Sequence, residues 1–158
     1  MKLKKCLSLS REKMKVKFKK TLPNAITPSY AVEGDACMDL FAASFEFDEF
    51  GNRCYDTGVA FEIPEGYVGL VFPRSSISKT TLSLRNAVAV IDSGYRGSIV
   101  LKFKRTPPGL PPYQAHMYEK SDRIGQIMII PRPEIELEQV EELSYTRRGT
   151  GGFGSTGM

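Results

Sequence analysis

Histidine and cysteine are scarce in this chain, and long apolar runs are missing. His116 is the only histidine, and the three cysteines, Cys6, Cys37 and Cys54, are widely spaced with no Cys-x-x-Cys pair. That set argues against a zinc site and fits a reducing compartment. A polar site built away from His116 also has no Ser-His-Asp catalysis open to it. No apolar stretch reaches the length of a signal-peptide core or a membrane span, so a soluble, cytoplasmic protein is expected. Long amphipathic helical patterns are missing too. The one helical candidate is a short piece following Ser75-Ser76, around 78–84.

Acidic charge is nearly absent from the first twenty residues, MKLKKCLSLSREKMKVKFKK, where nine Lys/Arg stand against Glu12 alone. The whole chain carries a net charge of only +4. Such a run reads either as a nucleic-acid or membrane-surface arm or as a solvated extension. The second reading is preferred, so no nucleic-acid or membrane partner is expected. Residues 1–13 have no strand pattern and are expected to be disordered.

What the chain does have is proline, glycine and short β-branched runs. Its 158 residues, 41% of them apolar, suffice for one domain with a real core, and ten prolines with fourteen glycines suit a loop-rich β fold. The dominant period is two. Lys15–Lys19 and Phe45–Asp48 alternate, while 59–63, 68–72, 88–91, 99–103 and 127–130 are short apolar runs punctuated by Pro or Gly. This pattern predicts an all-β sandwich or barrel. RTPPGLPPYQAHMYEK, 105–120, reads as an exposed loop, with a polyproline docking segment as the alternative. The expected layout is a basic extension over 1–13, a β domain over 14–146 and a glycine-rich arm over 147–158.

Four polar clusters and this arm interrupt the β pattern. GDACMDL (34–40) puts Asp39 just before an apolar strand. PRSSIS (73–78) follows the run VGLVF and offers a guanidinium, two hydroxyls and free backbone N–H groups. Those are the donors a polyphosphate needs, although an ordinary turn has the same composition. In NAVAVIDSGYRG (86–97) an apolar run that should be buried ends on Asp92 and a Ser93-Gly94 turn. Such a carboxylate either caps the strand or serves as a base toward water. A hairpin here would expose strand-edge groups able to read a planar base. SDRIGQIM (121–128) places Gln126 in an apolar strand, where burial without partners would be costly, so it is expected to face a polar site. RRGTGGFGSTGM (147–158) loses much entropy on ordering, so it is either a frayed tail or a segment ordered by a ligand. Arg148, Ser155 and Thr156 could bind an anion there, and Phe153 could stack on a base.

In this order the clusters resemble the five motifs of the homotrimeric dUTPase (dUTP diphosphatase) family. ACMDL stands for AGxDL, PRSS for PRSG, NAVAVIDSGYRG for the third motif, DRIGQ for DRIAQ, and RGTGGFGSTG matches the fifth throughout. The resemblance runs from about Met14 to the C-terminus. It implies a distorted jelly-roll (β-clip) subunit with at most one short helix, assembled as a trimer with shared sites. It further implies Mg²⁺-dependent hydrolysis of dUTP to dUMP and pyrophosphate, with Asp92 activating the water that attacks the α-phosphorus. Tyr95 would pack under the deoxyribose, and backbone around Asn86, Val90 and Ile91 would hydrogen-bond uracil, with Val100 nearby. Arg74, Ser75, Ser76 and Gln126 would bind the phosphates. Arg148, Phe153, Gly154, Ser155 and Thr156 of a neighbouring subunit would cover them and the base. The metal would be held by phosphates and water with no direct protein ligand, Asp39 contributing at most through water. Cys37, Ser76, Ala89 and Gly125 depart from the motifs without removing a proposed catalytic group. In dCTP deaminases, which share the fold, a Leu-Glu pair drives the chemistry. The matching pair here is Leu101-Lys102, which argues against deamination.

Overall fold

In the computed structural model the described residues are 13–105 and 117–152. The expectations for 1–12, for most of the proline-rich loop, and for Phe153, Gly154, Ser155 and Thr156 lie outside them.

Among the described residues, ten strands and one short 3-10 helix make up the regular structure: β1 (Lys17–Lys20), β2 (Met38–Phe41), β3 (Ser44–Phe47), β4 (Arg53–Asp56), β5 (Val59–Glu62), β6 (Tyr67–Phe72), β7 (Leu82–Leu84), β8 (Ala89–Ile91), β9 (Val100–Arg105) and β10 (Arg123–Pro131). They form two four-stranded antiparallel sheets, ordered β2-β10-β6-β8 and β3-β4-β9-β7, and a two-stranded ribbon of β1 with β5. The expected all-β jelly-roll class is thus observed. Strand β9 shows why these segments become strands. Leu101 and Phe103 point inward and are buried, while Val100, Lys102 and Lys104 point out, the two-residue alternation of a half-buried strand.

The core lies between the sheets and joins Leu40, Tyr55, Val59, Val71, Leu101, Phe103, Ile124 and Ile127. At its centre Tyr55, Phe103 and Tyr118 meet edge to face, with centroids 5.6–5.9 Å apart, and each such pair adds about 0.5–1.5 kcal/mol beyond simple burial. Tyr55 Oη also donates to the Tyr118 carbonyl at 2.9 Å, so the phenol buries its polar end with a partner.

Three expectations need correction. The helical candidate at 78–84 is displaced: a 3-10 helix occupies Ser75–Lys79 and Leu82–Leu84 forms β7. The run 88–91 is only half buried, because β8 is an edge strand paired, among the described residues, with β6 alone: Ala89 and Ile91 pack against the core while Val90 is 61% exposed. The stretch 86–97 is not a hairpin either. β8 pairs with β6 and β9 pairs with β4 and β7, so the Ser93-Gly94 turn starts a crossing from one sheet to the other. The last strand, β10, ends at Pro131, and every residue from 131 to 150 is exposed.

Candidate active site

Asp39 lies inside β2, not ahead of it, and is only 7% exposed. A buried carboxylate is costly unless paired, and this one is paired twice. Arg74 donates through Nε to Oδ1 at 2.8 Å, and Arg123 through Nη1 to Oδ2 at 3.2 Å. Arg74 is also held by Nη1 against Ser76 Oγ at 3.3 Å. β6 delivers Arg74, because the strand ends at Phe72 and Pro73 turns the chain into the 3-10 helix that carries Ser75 and Ser76.

Gln126 faces the same place. It sits at the crossing of three strands, opposite Asp39 on β2 and Phe72 on β6, and its amide donates to the Pro73 carbonyl at 3.0 Å. The expected polar environment is therefore present. Four of the expected residues, Asp39, Arg74, Ser76 and Gln126, come together at one end of the sheet, with Ser75 exposed beside them.

An open cavity of about 490 Å³ adjoins this cluster, lined by Arg74, Ser76, Lys79, Thr80, Met117, Tyr118, Asp122 and Arg123. Its basic groups outnumber the acidic one, so it favours an anion. Tyr118 Oη is buried with Ser76 as its polar neighbour, short of a formed hydrogen bond. Burial pushes its phenol up, while the Ser76 hydroxyl and the Arg74 guanidinium act in the opposite direction. Sequence reasoning assigned roles to none of Lys79, Tyr118 and Arg123. A signal existed only for Arg123, a cation opening an apolar strand.

The second set stands elsewhere. Ile91 pairs with Gly69, the third residue of β6, whereas Arg74 follows the end of that strand. Gly69 to Arg74 is five residues, roughly 16 Å at about 3.3 Å each. Asp92, directly after Ile91, is therefore at the far end of the sheet from the arginine cluster of its own chain. Around it, Asp92 O accepts from Tyr95 N–H at 3.0 Å, and Tyr95 Oη donates to Ser98 O at 3.2 Å. Asn86 precedes Ala87, whose φ is +53°, and Val88 N–H donates back to Asn86 O at 2.5 Å. A non-glycine residue in the left-handed region costs about 1–3 kcal/mol and is typical of functional loops. Asn86, Val90, Asp92 and Tyr95 are each exposed, but β8 runs antiparallel to β6 with Ala89 opposite Val71 and Ile91 opposite Gly69, so Asn86 lies toward the Arg74 end of β6 and Asp92 toward the other. Val100 stands on the other sheet, opposite Asp56, and Arg148 lies on the exposed segment with Nε donating to Gly151 O at 2.9 Å.

The donor set bears on magnesium. Among the described residues no three His, Cys, Asp or Glu side chains cluster to hold a metal. Both Asp39 oxygens already accept from guanidinium groups, which leaves that carboxylate a poor direct seat for a cation. Such a surface fits magnesium that arrives with a polyphosphate and takes its oxygens from it. Among the described residues no helix is long and apolar enough to cross a membrane.

The family model for dUTPase matches residues 23–157. The chain is 42% identical to the deoxyuridine 5'-triphosphate nucleotidohydrolase of Cutibacterium acnes, covering 87% of this chain and 88% of that one. It is 40% identical to the enzyme of that name from Nautilia profundicola, covering 91% and 99%. Among solved structures, the Staphylococcus bacteriophage 80alpha dUTPase with dUpNHpp superposes with a TM-score of 0.75 at 33% identity, covering 91% of this chain and 99% of that one. A mutant dUTPase of phage phi11 of S. aureus, described for the coordination of a structural Mg(II) ion, superposes with a TM-score of 0.70 at 27% identity, over 84% and 100%. The two-sheet fold, the ordered motifs and the length of these matches agree, and the chain belongs to the dUTPase family.

Proposed function

We propose that the protein hydrolyses dUTP to dUMP and pyrophosphate, as a homotrimer whose sites are shared between copies. The observation that carries this reading is the separation along β6. One end of the sheet holds the phosphate-type cluster of Asp39, Arg74, Ser76 and Gln126, while Asp92 and Tyr95 follow the end of β8 that points away from it. On this reading the Arg74 cluster and Asp92 of one chain serve different sites, each completed by a second copy. The exposed segment after Pro131 supports the same arrangement. Ile135, Leu137, Leu143 and Tyr145 are all largely exposed, an apolar surface that a neighbouring copy would cover.

In the assembled site Arg74, Ser75, Ser76 and Gln126 bind the triphosphate, and magnesium, when bound with it, neutralises its charge. Asp92 accepts a proton from a water molecule whose oxygen attacks the α-phosphorus. The bond from that phosphorus to the oxygen bridging to the β-phosphate breaks, and pyrophosphate leaves with the bonding pair. Positioning and charge neutralisation dominate such a transfer. Backbone groups of Asn86, Val90 and Ile91 hydrogen-bond uracil and leave no room for a 5-methyl group. Tyr95 packs under the deoxyribose where a 2′-hydroxyl would clash, with Val100 beside it. Arg148, Phe153, Gly154, Ser155 and Thr156 of a neighbouring copy close over the nucleotide and exclude bulk water.

Lys102, where a deaminase would carry its glutamate, pairs instead with Asp48 at 3.2 Å. Cys37 and Cys54 are free thiols, in keeping with a reducing cytoplasm. Pyrophosphate release measured in parallel on dUTP, dTTP, dCTP and UTP tests the reading. Release from dUTP alone is expected; equal rates on all four would overturn the specificity, and ammonia from dCTP would indicate a deaminase.

A further inference from the structure

We propose that Arg123 is a positioning residue for phosphate binding, delivered to the site by a β-bulge and acting through Asp39 on Arg74. The proposal rests on the reading of Arg74 as a phosphate ligand. The register of β10 against β2 carries it. Ile127 pairs with Met38, Gln126 with Asp39 and Gly125 with Leu40, but the next pair is Arg123 with Phe41, so Ile124 is an extra residue. Paired residues share a face of the sheet, and Asp39 and Phe41, two apart on β2, share one as well. In an unbroken strand Arg123 and Gln126, three apart, would face opposite sides. The bulge brings them to the same side, beside Asp39, while Ile124 and Gly125 both turn into the core, where each is buried. Re-aiming one side chain at a functional site is a common use of a bulge.

The consequence is a carboxylate held from both sides. Arg74 takes Oδ1 and Arg123 takes Oδ2, so Asp39 cannot rotate to give both oxygens to Arg74. Arg74 is then fixed at Nε by Asp39 and at Nη1 by Ser76, leaving Nη2 for a ligand. Arg123 itself is about half exposed, at the rim of the cavity it shares with Arg74 and Ser76. Without Arg123 the carboxylate is under-neutralised and free to turn, and the guanidinium of Arg74 loses its fixed plane.

The test uses Arg123→Ala and Arg123→Lys in the full chain, with kcat and KM for dUTP, and calorimetric binding of tripolyphosphate and of deoxyuridine. Loss of a charged hydrogen bond predicts that Arg123→Ala raises the dUTP KM and weakens tripolyphosphate about tenfold. Deoxyuridine affinity, which uses no phosphate contact, stays within about twofold of the parent, and Arg123→Lys recovers part of the loss. In an Asp39→Asn background, Arg123→Ala adds little, because the path between the residues is already cut. Unchanged tripolyphosphate affinity in Arg123→Ala, equal weakening of deoxyuridine, or full additivity with Asp39→Asn would each overturn the proposal. If Arg123→Ala does not fold, the same comparisons are made with Arg123→Gln. Failure of the unsubstituted chain to hydrolyse dUTP would sink the proposed function instead, and the tripolyphosphate comparison would still decide the role of Arg123.

Discussion

The ring of Tyr95 lies over Gly97 so closely that a methyl group on the glycine would stand 2.5 Å from Cζ and 3.0 Å from Cε2. No side chain fits there unless the ring moves. Gly97 therefore sets where Tyr95 lies, and through it the floor on which the sugar of a nucleotide would rest. Gly97→Ala is expected to lower kcat/KM for dUTP by about 10²-fold, the usual result of a displacement near 1 Å, and to narrow the preference for dUTP over UTP. Tyr95 is exposed, so the melting temperature should barely change. Parallel kinetics on the two nucleotides check this, and wild-type values for both would refute it.

Asp92 is the group proposed to take the proton from water. Asp92→Asn keeps the shape and removes the base. Turnover should fall by about 10²–10⁴-fold, while a non-hydrolysable dUTP analogue binds nearly as well as before. Near-normal turnover would exclude Asp92 from that role.

Gly125 faces the core, where the family motif carries alanine. A Cβ at this position would collide with Leu101 Cδ2 and lie 3.1 Å from the Phe72 carbonyl oxygen. Leu101 has taken the space of the missing methyl. Restoring it by Gly125→Ala should cost about 1–3 kcal/mol through overpacking. Combined with Leu101→Val, the loss should be smaller than the sum of the two single changes, because they share one volume. Denaturant unfolding of the three variants measures that coupling, and simple additivity would show that the space is not shared.

Asp48 closes the β3–β4 turn. It accepts from Asn52 Nδ2 at 3.0 Å, from the backbone N–H groups of Asn52 and Phe50 at 2.8 and 3.1 Å, and from Lys102 at 3.2 Å. These bonds, the Asn52 side chain first, hold its carboxyl well below the usual carboxylate range. A depressed folded value means that this group's stabilisation is complete above the unfolded value of about 3.9 and drains away as the pH falls toward the folded one. Asp48→Asn should therefore melt below the parent at neutral pH, with the gap closing under acid conditions. Melting curves between neutrality and strong acid test it; a gap that stays constant would remove Asp48 from the acid response.

Much of this architecture was legible because apolar runs bounded by Pro or Gly are the local signature of buried strands. Runs such as 59–63 and 68–72 were found on that basis. β4 escaped notice because its two buried residues, Cys54 and Tyr55, are flanked by Arg53 and Asp56. β7 looked helical because Leu82 and Leu84 lie in a serine-rich stretch with no clear period. In β8 a run of Val, Ala, Val and Ile looks buried, but an edge position follows from the pairing of distant strands. The Asp39 ion pairs were hidden for a similar reason, since Arg74 and Arg123 are 35 and 84 residues away. Single residues announce chemistry; which of them meet is decided by sheet order and, for Arg123, by one extra residue in β10.

The free edge of β8 has a cost of its own. A strand that leaves its N–H and C=O groups unpaired, here proposed to read a flat heterocycle, offers the same groups to any stray polypeptide, and such edges seed aggregation. Here the hazard is contained by brevity. β8 has only three residues, with the left-handed Ala87 shortly before it and the Asp92 turn directly after. The ladder is long enough for the proposed contact with a small ring, and too short to template a growing fibre.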